Sequence, residues 1–264
     1  MNNKNALSVE HISYEIDKIR LIDDISLEIP KGSFVGVIGP NGSGKSTLLK
    51  TIYRTNKASA GSVYLNGRNI ENMGNKEIAR YMAVVGQENH INFDFSVMEI
   101  MMIGRYANRS FFEKNSVDDT KICEKALDAV GMLSFRNRSF LSLSGGEKQK
   151  VLIASAFSRN PELIILDEPT NHLDVGYQFL ILDIMKSRKD VTIFTSLHDM
   201  NMAMQYCDHI IALKDGKIFS MGEPQKVLTP ENLETLFRVK TEILEKNGEV
   251  PYIRYLGTAE TRSL

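Results

Sequence analysis

The amino-acid sequence predicts an α/β protein with a mainly parallel sheet, and three observations support the prediction. An apolar run at 34–38 leads into a glycine-rich turn and then a helical pattern, the strand–loop–helix order of a phosphate-binding loop. Other short apolar runs alternate with helical patterns, which is typical of parallel strands joined by helices. The pattern from about 96 to 160 is mostly helical, which indicates a helical subdomain inserted between strands.

The elements follow from periodicity. Residues 6–16 and 21–29 alternate apolar and polar, as half-exposed strands do, and predict an antiparallel N-terminal part. Further strands are predicted at 34–38, 61–67, 82–86, 163–167, 191–196, 210–213 and 217–220, and helices at 48–52, 76–81, 97–106, 118–130, 147–158 and 224–237.

We expect one domain, made of a core and two further parts. The core comprises about 1–90 and 161–240, and the helical subdomain comprises about 91–160. A C-terminal extension covers about 241–264, and the chain is expected to fray from about 257 because that end is polar.

Composition excludes several classes of protein. Of 264 residues, 42% are hydrophobic and 25% are charged, and the net charge of −1 shows no basic excess for nucleic acid. Met1–Asn5 has no apolar segment behind it, so no signal peptide is expected. The apolar runs, such as Val151–Phe157, are too short to span a membrane. Cys123 and Cys207 fit no metal or disulfide spacing and are expected to be buried, reduced thiols.

The glycine-rich turn carries the first chemistry. Glycines let the backbone approach phosphates closely, and the N–H groups of a helix N-terminus then face the anion. Lys45 can reach the terminal phosphates, and the Ser46 hydroxyl is placed to hold Mg²⁺. A flexible glycine turn is the alternative. We assign nucleotide binding to Gly39, Pro40, Asn41, Gly42, Ser43, Gly44, Lys45, Ser46 and Thr47.

A pair of carboxylates supplies the second element that a phosphate loop needs. Asp167 ends an apolar strand, at the edge where open α/β sheets bind ligands, and can hold Mg²⁺ through water. Glu168 follows and can orient the attacking water or accept its proton. The alternative is a solvated acidic pair at a strand end.

Ser144, Gly145, Gly146 and Glu147 form a third stretch with two interpretations. Ser144 and Glu147 have the spacing of a capping box, so the stretch could simply begin a helix. Two consecutive glycines cost helix stability, however, and make better sense if their backbone N–H groups approach another phosphate.

With these residues the chain resembles the ATP-binding subunit of ATP-binding cassette (ABC) transporters, over about residues 7–240. Residues 39–47 match the Walker A motif, and 163–168 match Walker B with the catalytic glutamate. Residues 143–147 resemble the family signature, with Glu147 in place of the common glutamine. The resemblance implies the ABC ATPase fold, a P-loop NTPase core with an inserted helical subdomain.

The resemblance also implies roles for single residues. Tyr14 would stack on adenine, although a packed strand aromatic is the alternative. Gln87 would contact Mg²⁺ and the attacking water, and His198 would contact the γ-phosphate. Asn171 and Asp174 fall in a loop that crosses the dimer interface in the family.

The resemblance implies ATP and Mg²⁺ as cofactors and a second copy of the chain as partner. In the family, ATP lies between Walker A of one copy and the signature of the other, so Ser144, Gly145 and Gly146 would act in trans. The segment after Gln87 would contact multi-span permease subunits at the cytoplasmic face of the membrane. An external substrate-binding protein would be an indirect partner, and no nucleic acid is expected.

A finer resemblance concerns the cargo. Residues 95–106 and 174–178 are similar to importer ATPases for iron–siderophores, haem and cobalamin, with iron–siderophore favoured. The alternatives are an exporter cassette, a scaffold ATPase of iron–sulfur cluster assembly, and a soluble ABC ATPase of nucleic-acid repair or translation. Candidates to line the permease groove, or else to form a helical core, are Phe93, Phe95, Met98, Met101 and Met102.

Overall fold

The computed structural model describes residues 4–86, 93–108, 117–171, 173–245 and 248–259. Contacts divide the chain into two compact units, one formed by 1–69 and 194–264 and the other by 70–193. The helical segment predicted at 91–160 lies within the second unit. Within the described ranges, no helix combines the length and apolar character needed to cross a membrane.

Strands and helices largely follow the periodicity of the sequence. The strands are β1 (Asn5–Ile16), β2 (Ile19–Pro30), β3 (Phe34–Ile38), β4 (Ala60–Leu65), β5 (Arg68–Asn69), β6 (Met82–Val85), β7 (Leu163–Leu166), β8 (Thr192–Ser196), β9 (His209–Lys214), β10 (Lys217–Gly222), β11 (Val239–Leu244) and β12 (Tyr252–Thr258). The helices are α1 (Lys45–Ile52), α2 (Asn75–Tyr81), α3 (Val97–Gly104), α4 (Val117–Ala129), α5 (Gly145–Ser158), α6 (Val175–Ser187), α7 (Met200–Tyr206), α8 (Pro224–Val227) and α9 (Pro230–Phe237).

The N-terminal part of the first unit is an antiparallel sheet in the order β2-β1-β4-β5, as predicted. Its apolar positions alternate along each strand, so that Val9, Ile25 and Leu27 are buried while their neighbours face solvent. Tyr14 of β1 pairs with Ile22 of β2 in this sheet.

The strand before the phosphate loop is the most buried element of the first unit. All five residues of β3 are buried, and β9 pairs with it in parallel while β10 pairs antiparallel with β9. A parallel strand that is buried on both faces is apolar along its whole length, which explains the apolar run at 34–38. The Leu197 N–H donates to the Val37 carbonyl at 3.0 Å. Gly39 and His198, the residues that follow, therefore leave β3 and β8 at the same edge.

The second unit contains a parallel pair of strands and a helical core. Strands β6 and β7 run in register from Met82–Leu163 to Val85–Leu166. The core of α3, α4 and α5 is apolar and includes buried Met101, Cys123 and Val151.

Gly104 and Arg105 belong to the segment that resembles importer ATPases. In this structure both residues serve to pack the helices of the second unit together. A Cβ on Gly104 would lie 2.2 Å from Ser155 Oγ, so α3 approaches α5 closely because residue 104 is glycine. The Arg105 guanidinium donates from Nε to Asp119 Oδ1 at 2.9 Å, and both side chains are nearly buried. This ion pair joins the end of α3 to the first turn of α4.

The C-terminal region differs from the sequence prediction. The helical stretch predicted at 224–237 is broken into α8 and α9, because Thr229 caps α9 and Pro230 occupies its first position. The extension, for which no strands were predicted, forms the antiparallel hairpin β11–β12. Strand β12 includes 257 and 258, where fraying was expected, and 260–264 lie outside the described residues.

An asparagine of α7 holds the hairpin by two hydrogen bonds. Asn201 Nδ2 donates to the Ile253 carbonyl at 3.1 Å, and the Ile253 N–H donates to Asn201 Oδ1 at 2.7 Å. Ile253 is itself fully buried. One side chain therefore satisfies both backbone groups of a buried hairpin residue.

Replacing Asn201 by Ala is expected to lower the free energy of unfolding by about 1–3 kcal/mol, because two partly buried backbone groups lose their partners. Chemical denaturation of the full chain measures the change. Asn75→Ala, at an exposed position of α2, is the control and should change stability by less than about 0.5 kcal/mol. Equal effects of the two substitutions would contradict the attachment role of Asn201.

Candidate nucleotide-binding site

The loop after β3 has a backbone that requires glycine. Gly39 has a φ of 153°, and a Cβ there would lie 2.4 Å from the Leu213 carbonyl oxygen and 2.5 Å from Ser43 Oγ. Gly42 and Gly44 also have positive φ, at 79° and 101°. The loop is therefore a closely packed cradle and not a flexible turn.

The first turn of α1 is suited to an anion. Gly44 is its N-cap and has no side chain that could accept from the first N–H groups of the helix, which point toward the loop. Ser43 Oγ is buried and has no hydrogen-bond partner within the described part of the chain. A phosphate oxygen is an acceptor that fits both features. Ser46 and Thr47 lie half-buried in the same turn.

Lys45 is held against the loop. Its side chain is buried, with the residue 5% exposed, and Nζ donates to the carbonyls of Gly39 at 2.9 Å and Pro40 at 3.2 Å. A buried cation at the mouth of an anion cradle strengthens phosphate binding, because its charge is weakly screened there.

His198 lies beside this loop in the first unit. A cavity of about 390 Å³ is lined by Gly39, Pro40, Asn41, His198 and the end of α9 through Arg238. The predicted grouping of His198 with the phosphate loop is therefore present in the structure. The sequence motifs do not predict that α9 contributes to this cavity.

Tyr14 is close to the loop through its strand partner. It pairs with Ile22, and Ile22 Cδ1 lies 2.8 Å from where a Cβ on Gly44 would be. The tyrosine is half-buried, which fits both adenine stacking and simple strand packing. Its role in adenine stacking stays a prediction.

The acidic pair lies at the end of β7 in the second unit. The Asp167 N–H donates to the Val85 carbonyl at 2.9 Å, and Asp167 is 1% exposed. Glu168 has a left-handed backbone, with φ of 53°, a conformation that costs about 1–3 kcal/mol for such a residue. Asn171 donates from Nδ2 to Glu168 Oε2 and from its N–H to the Glu168 carbonyl. Asn171 thus orients the carboxylate of Glu168, which lies three positions before it. The sequence analysis places Asn171 in a loop at the dimer interface and does not predict this contact.

The signature stretch has the predicted capping box, and the phosphate contact of its glycines stays a prediction. Ser144 caps α5 in a complete capping box, and its N–H and hydroxyl bonds to Glu147 hold the pKa of that carboxyl below its usual value. Gly145 is exposed, and a Cβ there would meet no atom within 4 Å. Packing within the described part of the chain therefore does not require glycine at 145.

The loop between Glu168 and α6 is held by a further residue. Gln178 Nε2 donates to the carbonyls of Thr170 at 3.2 Å and Leu173 at 3.1 Å. Asp174 caps α6 by accepting from the Tyr177 N–H at 3.0 Å. Gln178 lies in the segment 174–178 that resembles importer ATPases, but the resemblance assigns no role to it. In the structure Gln178 anchors this loop. Gln87 lies outside the described residues.

A packed glycine cradle before an uncapped helix, together with a buried strand ending in Asp-Glu, defines a phosphate-loop nucleoside triphosphatase. The family model described as "ABC transporter" matches residues 22–171. The chain therefore belongs to the ABC transporter family, as predicted from its motifs. It is an ATP-binding subunit, and its enzymatic activity is ATP hydrolysis.

Two curated relatives are similar along almost the whole chain. The iron(3+)-hydroxamate import ATP-binding protein FhuC of Bacillus subtilis (strain 168) is 37% identical over 243 residues, which cover 91% of this chain and 90% of the relative. The ferric enterobactin transport ATP-binding protein FepC of Escherichia coli (strain K12) is 34% identical, covering 89% and 88%.

A solved structure supports the fold. It is a chain of a transporter described as metal-chelate type, in an inward-facing conformation. It is 27% identical with a TM-score of 0.81 and covers 96% of this chain and 97% of its own. The predicted P-loop core with an antiparallel part and a helical subdomain is confirmed.

Proposed function

We propose that this chain powers the import of iron–siderophores, as a peripheral subunit on the cytoplasmic face of a membrane permease. The observation that carries the proposal is similarity over nine-tenths of the chain to the hydroxamate import protein, together with an intact phosphate loop. Haem and cobalamin remain alternative cargoes from the sequence resemblance.

The chemistry of the proposal begins with phosphate binding. Lys45 and the N–H groups at the start of α1 bind the terminal phosphates of ATP. Ser46 and Asp167 would hold Mg²⁺, Asp167 through water, and Gln87 is assigned to the same ion. Bound Mg²⁺ would neutralise charge on the phosphates.

Hydrolysis is assigned to three side chains. Glu168, oriented by Asn171, accepts a proton from the attacking water or aligns that water. Gln87 is proposed to contact the same water. His198 contacts the γ-phosphate from the cavity that it shares with the loop. ATP also makes the closed dimer the more stable state, and loss of the γ-phosphate lets the dimer reopen.

A second copy of the chain is proposed to complete the site. The exposed Ser144 and Gly145, with Gly146 behind them, would meet the ATP bound by the other copy. Gly146 lies near Leu173 and Tyr177, because a Cβ there would be 3.3 and 3.9 Å from their side-chain carbons. Val175 is 65% and Tyr177 40% exposed beside the signature, an apolar surface that suits burial between two copies.

The permease is proposed to dock on exposed apolar residues around α3. Phe93, Ile103 and Tyr106 are 72%, 55% and 62% exposed. Met101 is fully buried, and Phe95, Met98 and Met102 pack on the helical core. Of the five sequence candidates, Phe93 keeps the predicted groove role, and the other four are core or core-facing residues. An external substrate-binding protein stays an indirect partner.

Ile103→Asp is expected to abolish permease binding and iron uptake while ATP hydrolysis by the isolated subunit is retained, because a charge would face the apolar permease helix. Co-purification with the permease and uptake measure the effect. Ile19→Asp is a matched control, since Ile19 is 62% exposed on the N-terminal sheet. Normal uptake with Ile103→Asp would reject this docking surface. Met98→Asp should instead lower folding stability.

Uptake in cells that lack the chain tests the proposed cargo. Cells are supplied in turn with iron as a hydroxamate complex, iron as a catecholate complex, haem and cobalamin. We expect iron–siderophore uptake to be lost, and the wild-type chain to restore it. Loss of haem or cobalamin uptake alone would replace the proposed cargo, and unchanged uptake of all four would reject import while leaving the ATPase activity standing.

A further inference from the structure

We propose that Arg238 is an additional phosphate-binding residue, which donates from its guanidinium to the terminal phosphate of ATP. The inference deepens the proposed function and rests on nucleotide binding at the loop. It assigns a binding role to the junction between α9 and the C-terminal hairpin, a region outside the recognised motifs.

The cavity beside the phosphate loop carries the inference. Its lining comes from the beginning of the loop, from His198 and from the end of α9. Among the described residues that line the cavity, Arg238 carries the permanent charge, and it is an exposed residue. A ligand phosphate that contacts His198 in this space of about 390 Å³ therefore lies in the same cavity as a guanidinium.

The backbone of Arg238 is held on both sides. Its N–H donates to the Glu234 carbonyl at 2.9 Å, and its carbonyl accepts from the Ala259 N–H at 2.8 Å. The first bond ends α9, and the second ties the residue to the chain just after β12. The backbone position from which the side chain extends is thus set by both the helix and the hairpin.

The residue type is unfavourable for this backbone. Arg238 caps α9 in the left-handed conformation, with φ of 55°, where glycine is the usual residue. Local conformational preference therefore does not explain an arginine at 238.

The chemistry points to the terminal phosphate. A guanidinium presents several N–H donors in a planar fork that matches phosphate oxygens. The start of α1 takes the phosphates at the helix end of the loop, whereas the cavity lies at Gly39–Asn41 and His198. His198 is the residue assigned to the γ-phosphate, so Arg238 in the same cavity is assigned to the phosphate that ADP lacks.

The hairpin connects this arginine to the histidine. Asn201 holds Ile253 of β12, and Asn201 belongs to α7, which begins two residues after His198. Helix α7 and the β11–β12 hairpin thus support both groups that face the cavity.

Arg238→Gly separates binding from folding, because glycine relieves the strained backbone. Equilibrium titrations of the full chain with Mg²⁺ and either a non-hydrolysable ATP analogue or ADP give the two affinities. We expect affinity for the ATP analogue to fall about tenfold, the effect of one charge-assisted hydrogen bond, with ADP affinity unchanged. A thermal melt of the variant shows whether it is folded under the conditions of the titrations.

Arg54→Gly is the matched control. Arg54 is also a left-handed arginine just after a helix, with φ of 64°, and does not line the cavity. We expect it to leave the ratio of the two affinities at the wild-type value. An unchanged ATP-analogue affinity in Arg238→Gly, or equal losses for both nucleotides, would overturn the inference. Failure of the wild-type chain to bind either nucleotide would instead overturn the proposed site itself, and this inference with it.

Discussion

Replacing Glu168 by Gln is expected to slow ATP hydrolysis by about 10²–10⁴-fold while ATP binding is retained. The amide keeps the shape of the side chain and an oxygen that can accept from Asn171, but it cannot take a proton from water. Steady-state phosphate release measures the rate, and a nucleotide titration measures binding. Size-exclusion chromatography with ATP should then show a more persistent dimer.

Glu10→Gln is the control for this substitution, because Glu10 is exposed on the N-terminal sheet. It should hydrolyse ATP at the wild-type rate. A wild-type rate in Glu168→Gln would remove the proton-accepting role from Glu168. Loss of binding in that variant would show that the carboxylate supports the nucleotide itself.

Lys45→Ala is expected to weaken ATP binding by about a hundredfold or more, because it removes a buried cation from the phosphates. The substitution also removes the two bonds from Nζ to the Gly39 and Pro40 carbonyls, so the loop loses internal contacts. Isothermal titration with ATP and Mg²⁺ gives the affinity, and a thermal melt shows whether the chain is folded.

Lys50→Ala is a control on the same helix, since Lys50 is exposed in the last turn of α1. It should bind ATP with the wild-type affinity. If a folded Lys45→Ala variant bound ATP as tightly as the wild-type chain, the phosphate assignment of Lys45 would be wrong. ADP binding should also weaken in Lys45→Ala, whereas Arg238→Gly is expected to spare it.

Local features of the site were predictable because the interactions that form them are close in sequence. The phosphate loop joins a strand to a helix within 34–52, and its glycines adopt positive φ values that favour glycine. The capping box joins Ser144 to Glu147, three positions apart. Both could therefore be recognised from residue type and spacing alone.

Two C-terminal features that differ from the prediction have a recognisable signal in the sequence. Thr229 followed by Pro230 is a helix start, yet 224–237 was predicted as one helical stretch. Apolar and polar residues alternate at 239–244 and 252–256 on either side of Asn247-Gly248, a pattern typical of a hairpin. The sequence analysis nevertheless predicts no strands in the extension.

Other features depend on contacts between distant parts of the chain. Ser155 explains why residue 104 must be glycine, across 51 positions, and Asn201 meets Ile253 across 52. On α3, Ile103 is exposed whereas Met101 is buried, because only one face of the helix packs on α4 and α5. Helical periodicity alone left this choice open, because both residues are apolar.

The sequence by itself determined the family, the phosphate loop and the acidic strand end, because each is a short segment whose chemistry is written in consecutive residues. Tertiary structure decided which apolar side chains around α3 remain exposed and which C-terminal residues line a cavity with the loop. Arg238 lies almost 200 positions beyond Gly39 and shares a cavity with it, since α9 belongs to the same compact unit as the phosphate loop. Such proximity arises from the packing of whole elements, which no local pattern encodes.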